Sequence, residues 1–258
     1  MSETSPQTAA RRECIVVTGA SRGIGAAIAL ELAKQGKHVA CLSRSGSLPA
    51  SAEAPSADVA ARWTGHKADV TDPQAVSAAL KGLIDAGWSI TGLVNNAGVH
   101  IDGASADVSL ADWQQVMDTN ATSVVTACQA AYPHLVAAGG GMVVNIGSFF
   151  DKLGVKRNLA YCASKAAVGA ITRVLAVEWA SKGIRVVDVA PGYIVTDLNA
   201  DVMAEGSPLR AYLDKRIPGK EPGKAADVAA VVASLFTPAG HFLSGETIYV
   251  DGAQGINH

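Results

Sequence analysis

Three side chains in the second half of the chain have the types and spacing that proton transfer requires. Tyr161 and Lys165 are four residues apart, so in a helix they share one face. A tyrosine with a pKa of about 10 is a poor acid or base at neutral pH, whereas a fixed neighbouring ammonium favours the phenolate. Ser148 follows an apolar segment upstream of both. A Tyr-x-x-x-Lys pair alone is more often an exposed pair on a helix, but Ser148 at the end of a predicted strand, where α/β sheets bind ligands, favours an acid–base site.

A glycine-rich segment near the N-terminus has the position of a phosphate-binding loop. Residues 18–25 follow the first strand-like run and lead directly into an Ala-rich helical segment. Glycines let backbone N–H groups approach a pyrophosphate, and a helix N-terminus adds about half a positive charge. The alternative is that the glycines, above all Gly25, only allow the helix to pack closely on the strand. The residues predicted to contact a dinucleotide here are Gly19, Ser21, Arg22, Ile24 and Gly25.

The second strand-like run ends in Ser43 and Arg44, and this ending indicates which dinucleotide binds. NAD-binding folds normally present a carboxylate at this point for the ribose 2′-hydroxyl. No carboxylate is present here, whereas Arg44 and Arg22 offer guanidinium groups suited to a 2′-phosphate. We therefore expect NADP(H) rather than NAD(H), with Ser43 and Arg44 as cofactor contacts. The alternative is that Arg44 is a solvated residue at a strand end.

These candidates must be positioned by elements that alternate along the chain. Apolar runs without polar alternation, such as 15–17 and 142–144, are typical of strands covered on both faces, and longer helical stretches lie between them. The pattern predicts an α/β fold, a Rossmann-like doubly wound parallel sheet in three layers, α/β/α. The predicted strands are 14–18, 38–43, 92–95, 141–146, 184–189 and 247–250, and the predicted helices are 24–35, 113–138, 160–182 and 226–236.

The length of the chain, 258 residues, suits one domain that buries its core without disulfides or metals. We expect this domain to span 13–258 and to follow a flexible N-terminal tail over 1–12. A long segment rich in Gly and Pro, at about 193–223, interrupts the alternation of strands and helices. Long irregular segments inside a compact domain are often binding loops, so this one is predicted to be a substrate loop, with a disordered surface loop as the alternative.

Charge and cysteine content exclude several classes of protein. Lys and Arg number 21 against 23 Asp and Glu, a net charge of −2, which provides neither a basic face for nucleic acid nor a polybasic membrane anchor. The four cysteines are widely separated and form no C-x-x-C pair, so we expect no metal site and a reducing cytoplasmic location. No apolar run was expected to reach the roughly 18 residues of a membrane span.

Several motifs occur together in an order that is similar to one known family. The chain resembles a short-chain dehydrogenase/reductase from about residue 14 to residue 252. The matching features are the glycine loop 18–25, the segment Asn95-Asn96-Ala97-Gly98, Asn120, Ser148, Tyr161 with Lys165, Pro191-Gly192 and Thr196. The resemblance implies an enzyme that transfers a hydride between a nicotinamide dinucleotide and a ketone or secondary alcohol.

The resemblance also implies a role for each catalytic residue. Tyr161 would donate a proton to the carbonyl during reduction, or accept one during oxidation, while Ser148 orients the substrate oxygen. Lys165 would hold the nicotinamide ribose and lower the pKa of Tyr161. Asn120 would hold a water in the proton relay; its alternative is a buried amide bonded to backbone. Donors aimed at the carbonyl oxygen stabilise the charge that develops there in the transition state.

Further cofactor contacts follow only from the resemblance. Asp69 would accept a hydrogen bond from the adenine, although it equally suits a turn before Pro73. Gly98 would permit close backbone approach to the adenine ribose. The whole set is Asp69, Val70, Asn96, Ala97, Gly98, Tyr161, Lys165, Pro191, Gly192, Ile194 and Thr196.

The sequence specifies the substrate less well than it specifies the fold or the cofactor. Phe149, Phe150 and Tyr193 suggest an apolar wall, but the two phenylalanines equally suit a core position at a strand end. A ketone or 3-oxoacyl-thioester reductase is the first hypothesis, and an NAD(P)-dependent sugar-acid or polyol dehydrogenase is the second. A non-catalytic dinucleotide sensor is the alternative from another class. By analogy with the family, the chain is expected to form a homotetramer, or else a homodimer.

Overall fold

The structure is a computed structural model that describes residues 12–50, 54–197, 199–201 and 203–257. The predicted tail over 1–12 therefore lies outside the described residues, apart from Arg12. The strands are β1 (Arg12–Thr18), β2 (His38–Ser43), β3 (Trp63–Lys67), β4 (Trp88–Asn95), β5 (Gly141–Ile146), β6 (Ile184–Pro191), β7 (Ile194–Val195), β8 (Gly223–Lys224) and β9 (Thr247–Val250). The helices are α1 (Gly23–Lys34), α2 (Ala57–Ala60), α3 (Pro73–Asp85), α4 (Leu110–Met117), α5 (Ser123–Ala137), α6 (Leu159–Trp179), α7 (Pro208–Arg216) and α8 (Ala225–Leu235).

Seven of the strands form one parallel sheet in the order β3-β2-β1-β4-β5-β6-β9. The chain reverses its direction across the sheet between β1 and β4, and a crevice forms at the carboxyl ends of the strands at such a point. The predicted α/β class and doubly wound parallel sheet are confirmed.

Each face of the sheet is covered by helices, because consecutive strand residues point to opposite sides. Val17 belongs to a hydrophobic cluster with α1 and α8, whereas Val16 belongs to a second cluster with α3, α5 and α6. Both valines are fully buried. This arrangement explains why the strands are apolar without alternation, and it gives the three layers.

The predicted helix over 113–138 is wrong as a single element. The structure has α4, then a π-helical turn (Asp118–Thr122), then α5. A π-turn widens a helix by one residue per turn, and such turns are frequent at functional sites. The hydrophobic periodicity on either side gives no sign of it, because one extra residue shifts the pattern by only part of a turn.

One segment contradicts the expectation that no apolar run is long enough to span a membrane. By length and composition alone, Leu159–Lys182, which is α6 with the turn after it, could cross a membrane. Within the fold, α6 buries Val168 and Trp179 in the second hydrophobic cluster, and it carries Tyr161 and Lys165. The apolar side chains of α6 therefore cover the sheet.

The segment predicted to be a substrate loop has structure of its own. Strand β7 pairs in parallel with β8 and closes the segment at its base, and α7 lies between them. Met203, Leu213 and Ile217 are buried in a small separate cluster against which Tyr193 packs. The segment thus forms a compact unit that extends over the carboxyl end of the sheet.

The close contact between α1 and the strand ends predicts opposite effects of two Gly→Ala changes. A Cβ at Gly25 would overlap the carbonyl oxygen of Gly19 and the Asn96 amide, whereas nothing lies within 4 Å of a Cβ at Gly82 in α3. We expect Gly25→Ala to lower the free energy of unfolding by about 1–3 kcal/mol. Gly82→Ala should raise it by about 0.5–1 kcal/mol because alanine is the better helix former. Urea unfolding followed by circular dichroism measures both, and equal stability of the two variants would contradict the packing described.

Candidate active site

A cleft of about 1480 Å³ opens at the carboxyl ends of the strands. It contains the glycine loop after β1, the ends of β2 and β4, and the segments after β5 and β6. Every residue predicted from the sequence to bind cofactor or substrate lines it, as do Ser148, Tyr161 and Lys165. Asn120 is the one predicted site residue that does not. The sequence thus identifies a set of residues, spread from Gly19 to Thr196, that the fold brings together.

A group of hydrogen bonds joins the end of β1 to the end of β4 and forms the floor of the cleft. The buried Thr18 Oγ1 accepts from the backbone N–H groups of Asn96 and Ala97, at 3.0 and 3.1 Å. The Asn96 Nδ2 group donates to the carbonyl oxygens of Thr18 and Gly19, at 3.0 and 3.2 Å. Gly19 has a φ of +63°, a left-handed conformation that glycine adopts without strain. We call these four bonds the Thr18–Asn96 clasp.

The N-terminus of α1 faces the cleft with the donors that a phosphate requires. Arg22 at the N-cap makes no side-chain capping bond, and the first turn contains no acidic residue. The Gly23 N–H instead donates to Asp197 Oδ1 at 3.1 Å, so a carboxylate from the segment after β7 occupies the anion position. A helix N-terminus with free N–H groups suits an anion, such as the pyrophosphate of a dinucleotide. Asp197 was not among the predicted residues, because nothing in its sequence spacing relates it to the glycine loop.

The end of β2 forms the far side of the cleft. Arg44 and Arg22 are exposed there, and neither guanidinium pairs with a carboxylate of the described residues within 4 Å. Ser43 is buried and accepts from the Gly46 N–H at 3.0 Å. Two free guanidinium groups and a hydroxyl in one region suit an extra phosphate on the ribose.

Asp69 forms a turn, as the alternative to adenine binding predicted. Its Oδ1 accepts from the backbone N–H of Thr71 at 3.0 Å and from the Thr71 hydroxyl at 2.8 Å. These bonds, with a smaller contribution from Arg44, hold the pKa of Asp69 below its usual range. The carboxylate nonetheless lines the cleft, so its second oxygen can still accept a bond from an adenine amine.

Tyr161, Ser148 and Lys165 meet in the inner part of the cleft. Ser148 follows the end of β5, and α6 brings the other two residues over it. A hydrogen bond with Ser148 lowers the pKa of Tyr161, but burial raises it more, so the net pKa is above the usual value. Lys165 is 5% exposed, and its Nζ donates to the carbonyl oxygen of Ile146 at 2.7 Å.

The expectation that Lys165 lowers the pKa of Tyr161 is therefore not met in the chain alone. The Lys165 ammonium lies 5.6 Å from the centre of the Tyr161 ring and is directed at a backbone carbonyl instead. Burial lowers the pKa of Lys165 itself to about 8. The two residues are neighbours, as the i, i+4 spacing predicts, but removal from water controls both of their pKa values.

Asn120 has a structural role, as the alternative prediction of a buried amide bonded to backbone has it. It is 1% exposed and lies in the π-helical turn. Its Oδ1 accepts from the Val99 N–H at 2.8 Å, and its Nδ2 donates to the Val99 carbonyl at 2.8 Å and to Ser164 Oγ at 3.1 Å. Both N–H groups of the amide are engaged, and Oδ1 retains one acceptor position that a water could fill.

Aromatic rings form the wall of the cleft next to Tyr161. The Phe150 ring lies 5.8 Å from Tyr161 and 5.9 Å from Tyr193, and the Phe149 ring lies 5.4 Å from Tyr193. Phe149 and Phe150 are 5% and 8% exposed, so each is both a core residue and part of the wall. The two predicted positions of these phenylalanines, in an apolar wall and in the core at a strand end, are therefore compatible.

Other residues complete this side of the cleft. The His100 ring packs edge-on against Tyr161, 5.0 Å between centres, and hydrogen-bonds to Asn158. Met203 and Leu209 line the cleft from the segment over 193–223. Met203 and Leu209 lie in the segment that was predicted to be a substrate loop, but no spacing rule distinguishes them within it.

Comparison with known proteins gives the family. A family model described as enoyl-(acyl carrier protein) reductase matches residues 19–254. The 3-oxoacyl-acyl-carrier-protein reductase FabG of Staphylococcus aureus is 35% identical over 242 residues, which cover 93% of this chain and 96% of that protein. The chain belongs to the short-chain dehydrogenase/reductase family.

Other relatives of this short-chain dehydrogenase/reductase differ in the substrate that they are named for. The 3β-hydroxysteroid dehydrogenase 1 of Eggerthella lenta is 34% identical over 249 residues, covering 94% of this chain and 93% of that protein. A provisionally assigned 2-deoxy-D-gluconate 3-dehydrogenase of Agrobacterium tumefaciens, solved with bound NADP, has a TM-score of 0.79 and 36% identity, covering 94% of this chain and 96% of that one. The short-chain dehydrogenase/reductase described here is thus an NAD(P)-dependent oxidoreductase acting on CH–OH groups.

The bonds of Asn120 predict that it stabilises the fold around the cleft. Asn120→Ala leaves the partly buried N–H and C=O of Val99 and the Ser164 hydroxyl without their partner, so we expect the free energy of unfolding to fall by about 1–3 kcal/mol. Asn257→Ala is the matched control, because Asn257 is exposed and makes one bond, to the Arg216 carbonyl. Thermal and urea unfolding measure both changes. An Asn120→Ala variant as stable as the control would show that the Val99 bonds contribute nothing.

Proposed function

We propose that this enzyme interconverts a ketone and a secondary alcohol with NADP(H) as cofactor. When bound, the nicotinamide supplies or accepts the hydride at the carbonyl carbon. The observation that carries the proposal is one cleft that brings together the N-terminus of α1, the Ser148, Tyr161 and Lys165 side chains, and two arginines, at positions 22 and 44, with no carboxylate partner among the described residues. A phosphate-binding end and an acid–base end within one cleft suit hydride transfer better than they suit storage or sensing.

Tyr161 is the proposed general acid in carbonyl reduction. Because its pKa is raised, its hydroxyl holds a proton at neutral pH. It gives this proton to the carbonyl oxygen as the carbon receives the hydride, so the product is a neutral alcohol. Ser148 donates a second hydrogen bond to the same oxygen and fixes its position. General acid help of this kind is typically worth about 10²- to 10⁴-fold in rate.

Lys165 is the proposed anchor for the nicotinamide ribose. Its ammonium is buried, and it has protons beyond the one that it donates to Ile146. The rest of the proposed cofactor site extends along the cleft. It consists of Gly19, Ser21, Arg22, Ile24 and Gly25 in the glycine loop, Ser43, Arg44, Asp69 and Val70 on the adenine side, and Asn96, Ala97, Gly98, Pro191, Gly192, Ile194 and Thr196 along the ribose and nicotinamide.

The proposed substrate has an apolar group beside its carbonyl. The wall formed by Phe149, Phe150 and Tyr193 next to Tyr161 supports an acyl chain or a ring system over a small hydrophilic ketone. The names of the FabG and hydroxysteroid dehydrogenase relatives agree with this class. A sugar-acid dehydrogenase is the second candidate, favoured by the exposed cations Lys156 and Arg157 in the cleft lining and by the relative solved with NADP.

Assembly and location extend the proposal. Phe242, Val177 and Leu110 are 97%, 80% and 79% exposed in the isolated chain, and such large apolar side chains support association of subunits. We propose a homotetramer, with a homodimer as the smaller alternative. The four cysteines are free, which agrees with a location in a reducing cytoplasm.

Removal of one hydroxyl tests the proposed catalysis. We expect Tyr161→Phe to lower kcat for ketone reduction by about 10²- to 10⁴-fold, because no proton donor of similar strength replaces the phenol. The affinity for NADPH, measured by the fluorescence of the bound nicotinamide, should change little. Tyr132→Phe is the control, since Tyr132 packs on Trp179 away from the cleft. Full turnover by Tyr161→Phe would refute the assignment.

Charge reversal at the end of β2 tests the cofactor preference. Arg44→Asp removes a guanidinium from the proposed 2′-phosphate position and adds a carboxylate suited to a 2′-hydroxyl. We expect the ratio of kcat/KM for NADPH to that for NADH to fall by roughly tenfold to a hundredfold. Arg62→Asp, outside the cleft, is the control because Arg62 bonds to the Gly36 carbonyl instead. A wild-type enzyme that already prefers NADH would contradict the role given to Arg44.

A further inference from the structure

A buried carboxylate lies behind the proposed catalytic residues. Asp188, in the middle of β6, is 0% exposed. It pairs in register with Asn145 of β5, whose Nδ2 donates to Thr172 of α6, so this face of the sheet meets α6. Thr247 donates to Asp188 Oδ2 at 3.1 Å, while Oδ1 is buried with no hydrogen-bond partner in the described part of the chain. A buried, incompletely bonded carboxylate is costly, so its charge requires compensation.

A short backbone segment connects this carboxylate to Lys165. A Cβ built at Gly147 would lie 2.7 Å from Asp188 Oδ2, so the carboxylate rests against the Gly147 Cα. The preceding residue, Ile146, offers the carbonyl that accepts from Lys165 Nζ at 2.7 Å. The residue after Gly147 is Ser148. Asp188 therefore lies directly behind the strand end that holds the proposed reacting groups.

The other charged groups around Asp188 do not neutralise it. Asp151, in the turn after Ser148, is also negative and accepts from the Tyr249 hydroxyl at 2.8 Å. Lys152 packs over the Tyr249 ring, and Arg173 on α6 is exposed to solvent. Within the described residues no salt bridge reaches Asp188. Among the described residues, Lys165 is the cation whose charge acts on the pKa of Asp188.

The two charges act on each other as a buried pair would. Burial lowers the pKa of Lys165 to about 8, and the Asp188 charge opposes this by raising it. Burial raises the pKa of Asp188 to about 6, and the Asp151 charge adds to this, while the bond from Thr247, the Lys165 charge and the Gly147 backbone N–H lower it. Between these two values both groups are charged, and each favours the ionised form of the other.

We propose that Asp188 is the buried counter-charge that keeps the Lys165 ammonium protonated in the cleft. It touches neither cofactor nor substrate, so it is a positioning residue that acts through Lys165. The inference rests on the proposed function, in which Lys165 must carry its proton to hold the nicotinamide ribose.

The pH dependence of kcat/KM for NADPH tests the proposal, measured from about pH 6 to about pH 10. Asp188→Asn keeps the shape of the side chain and removes the charge. Without that charge the pKa of Lys165 falls, so the decline of kcat/KM at high pH should move to lower pH by about one unit, the effect of one charge across several ångströms of protein interior. Asp151→Asn is the matched control, because it removes a neighbouring negative charge that does not act on the pKa of Lys165. Profiles of wild type and Asp188→Asn that coincide would overturn the proposal.

Lys165→Met separates this inference from the proposed function. If Lys165→Met turns over substrate as well as wild type does, the proposed role of Lys165 is wrong. If Lys165→Met is inactive and the Asp188→Asn profile is unshifted, the role of Asp188 alone is wrong.

A stability measurement supplies a readout without catalysis, and it applies even if Asp188→Asn folds poorly. Lys165→Met leaves Asp188 as an uncompensated buried charge at pH 8, so the double variant Lys165→Met/Asp188→Asn should have a higher Tm than Lys165→Met. If Asp188 had only a packing role, the second change would lower the Tm further, and that result would contradict the proposal.

Discussion

The site depends on the Thr18–Asn96 clasp between the ends of β1 and β4. These two strands are adjacent in the sheet but far apart in the sequence, and the chain reverses its direction of travel between them. By tying both strand ends through one threonine hydroxyl and one amide, the clasp leaves no room for side chains at Gly19 and Gly25. Helix α1 can then begin directly at the crevice with its N–H groups facing inward. The phosphate-binding and acid–base ends of the cleft depend on this junction for their alignment.

Burial of the Tyr161 and Lys165 side chains is the second constraint, and it both favours and opposes the proposed reaction. A cleft that excludes water strengthens hydrogen bonds to a developing oxyanion, but it also raises the pKa of Tyr161 and lowers that of Lys165. A raised tyrosine pKa suits proton donation, whereas a neutral lysine would lose its hold on a ribose. The charge of Asp188 offsets the lowering of the Lys165 pKa and leaves the raised pKa of Tyr161 unchanged. The polar groups buried under α6 are therefore better understood as support for the site than as defects in the core.

Much of this arrangement could be predicted from the sequence, and the limits have physical causes. Strands 38–43, 141–146 and 247–250 were predicted to the residue, because buried parallel strands are short apolar runs with sharp polar ends. Helix α3 was not among the predicted elements, although Asp72 caps it and Pro73 begins it. The π-turn at Asn120 and the contact of Asp197 with Gly23 could not be predicted. Both depend on how distant segments meet, which neither periodicity nor local spacing records.

The central claim is that this cleft transfers a hydride from NADPH to a ketone carbon, and isotope transfer tests it most directly. The chain would be given NADPH carrying deuterium at both hydrogen positions of nicotinamide C4, and in parallel NADH labelled in the same way, with a 3-oxoacyl thioester, a steroid ketone and a keto-sugar acid. The account predicts that mass spectrometry finds one deuterium on the carbinol carbon of at least one product, with NADPH the better donor. The absence of a deuterated carbinol from all three ketones with either cofactor, while NADPH still binds, would contradict it.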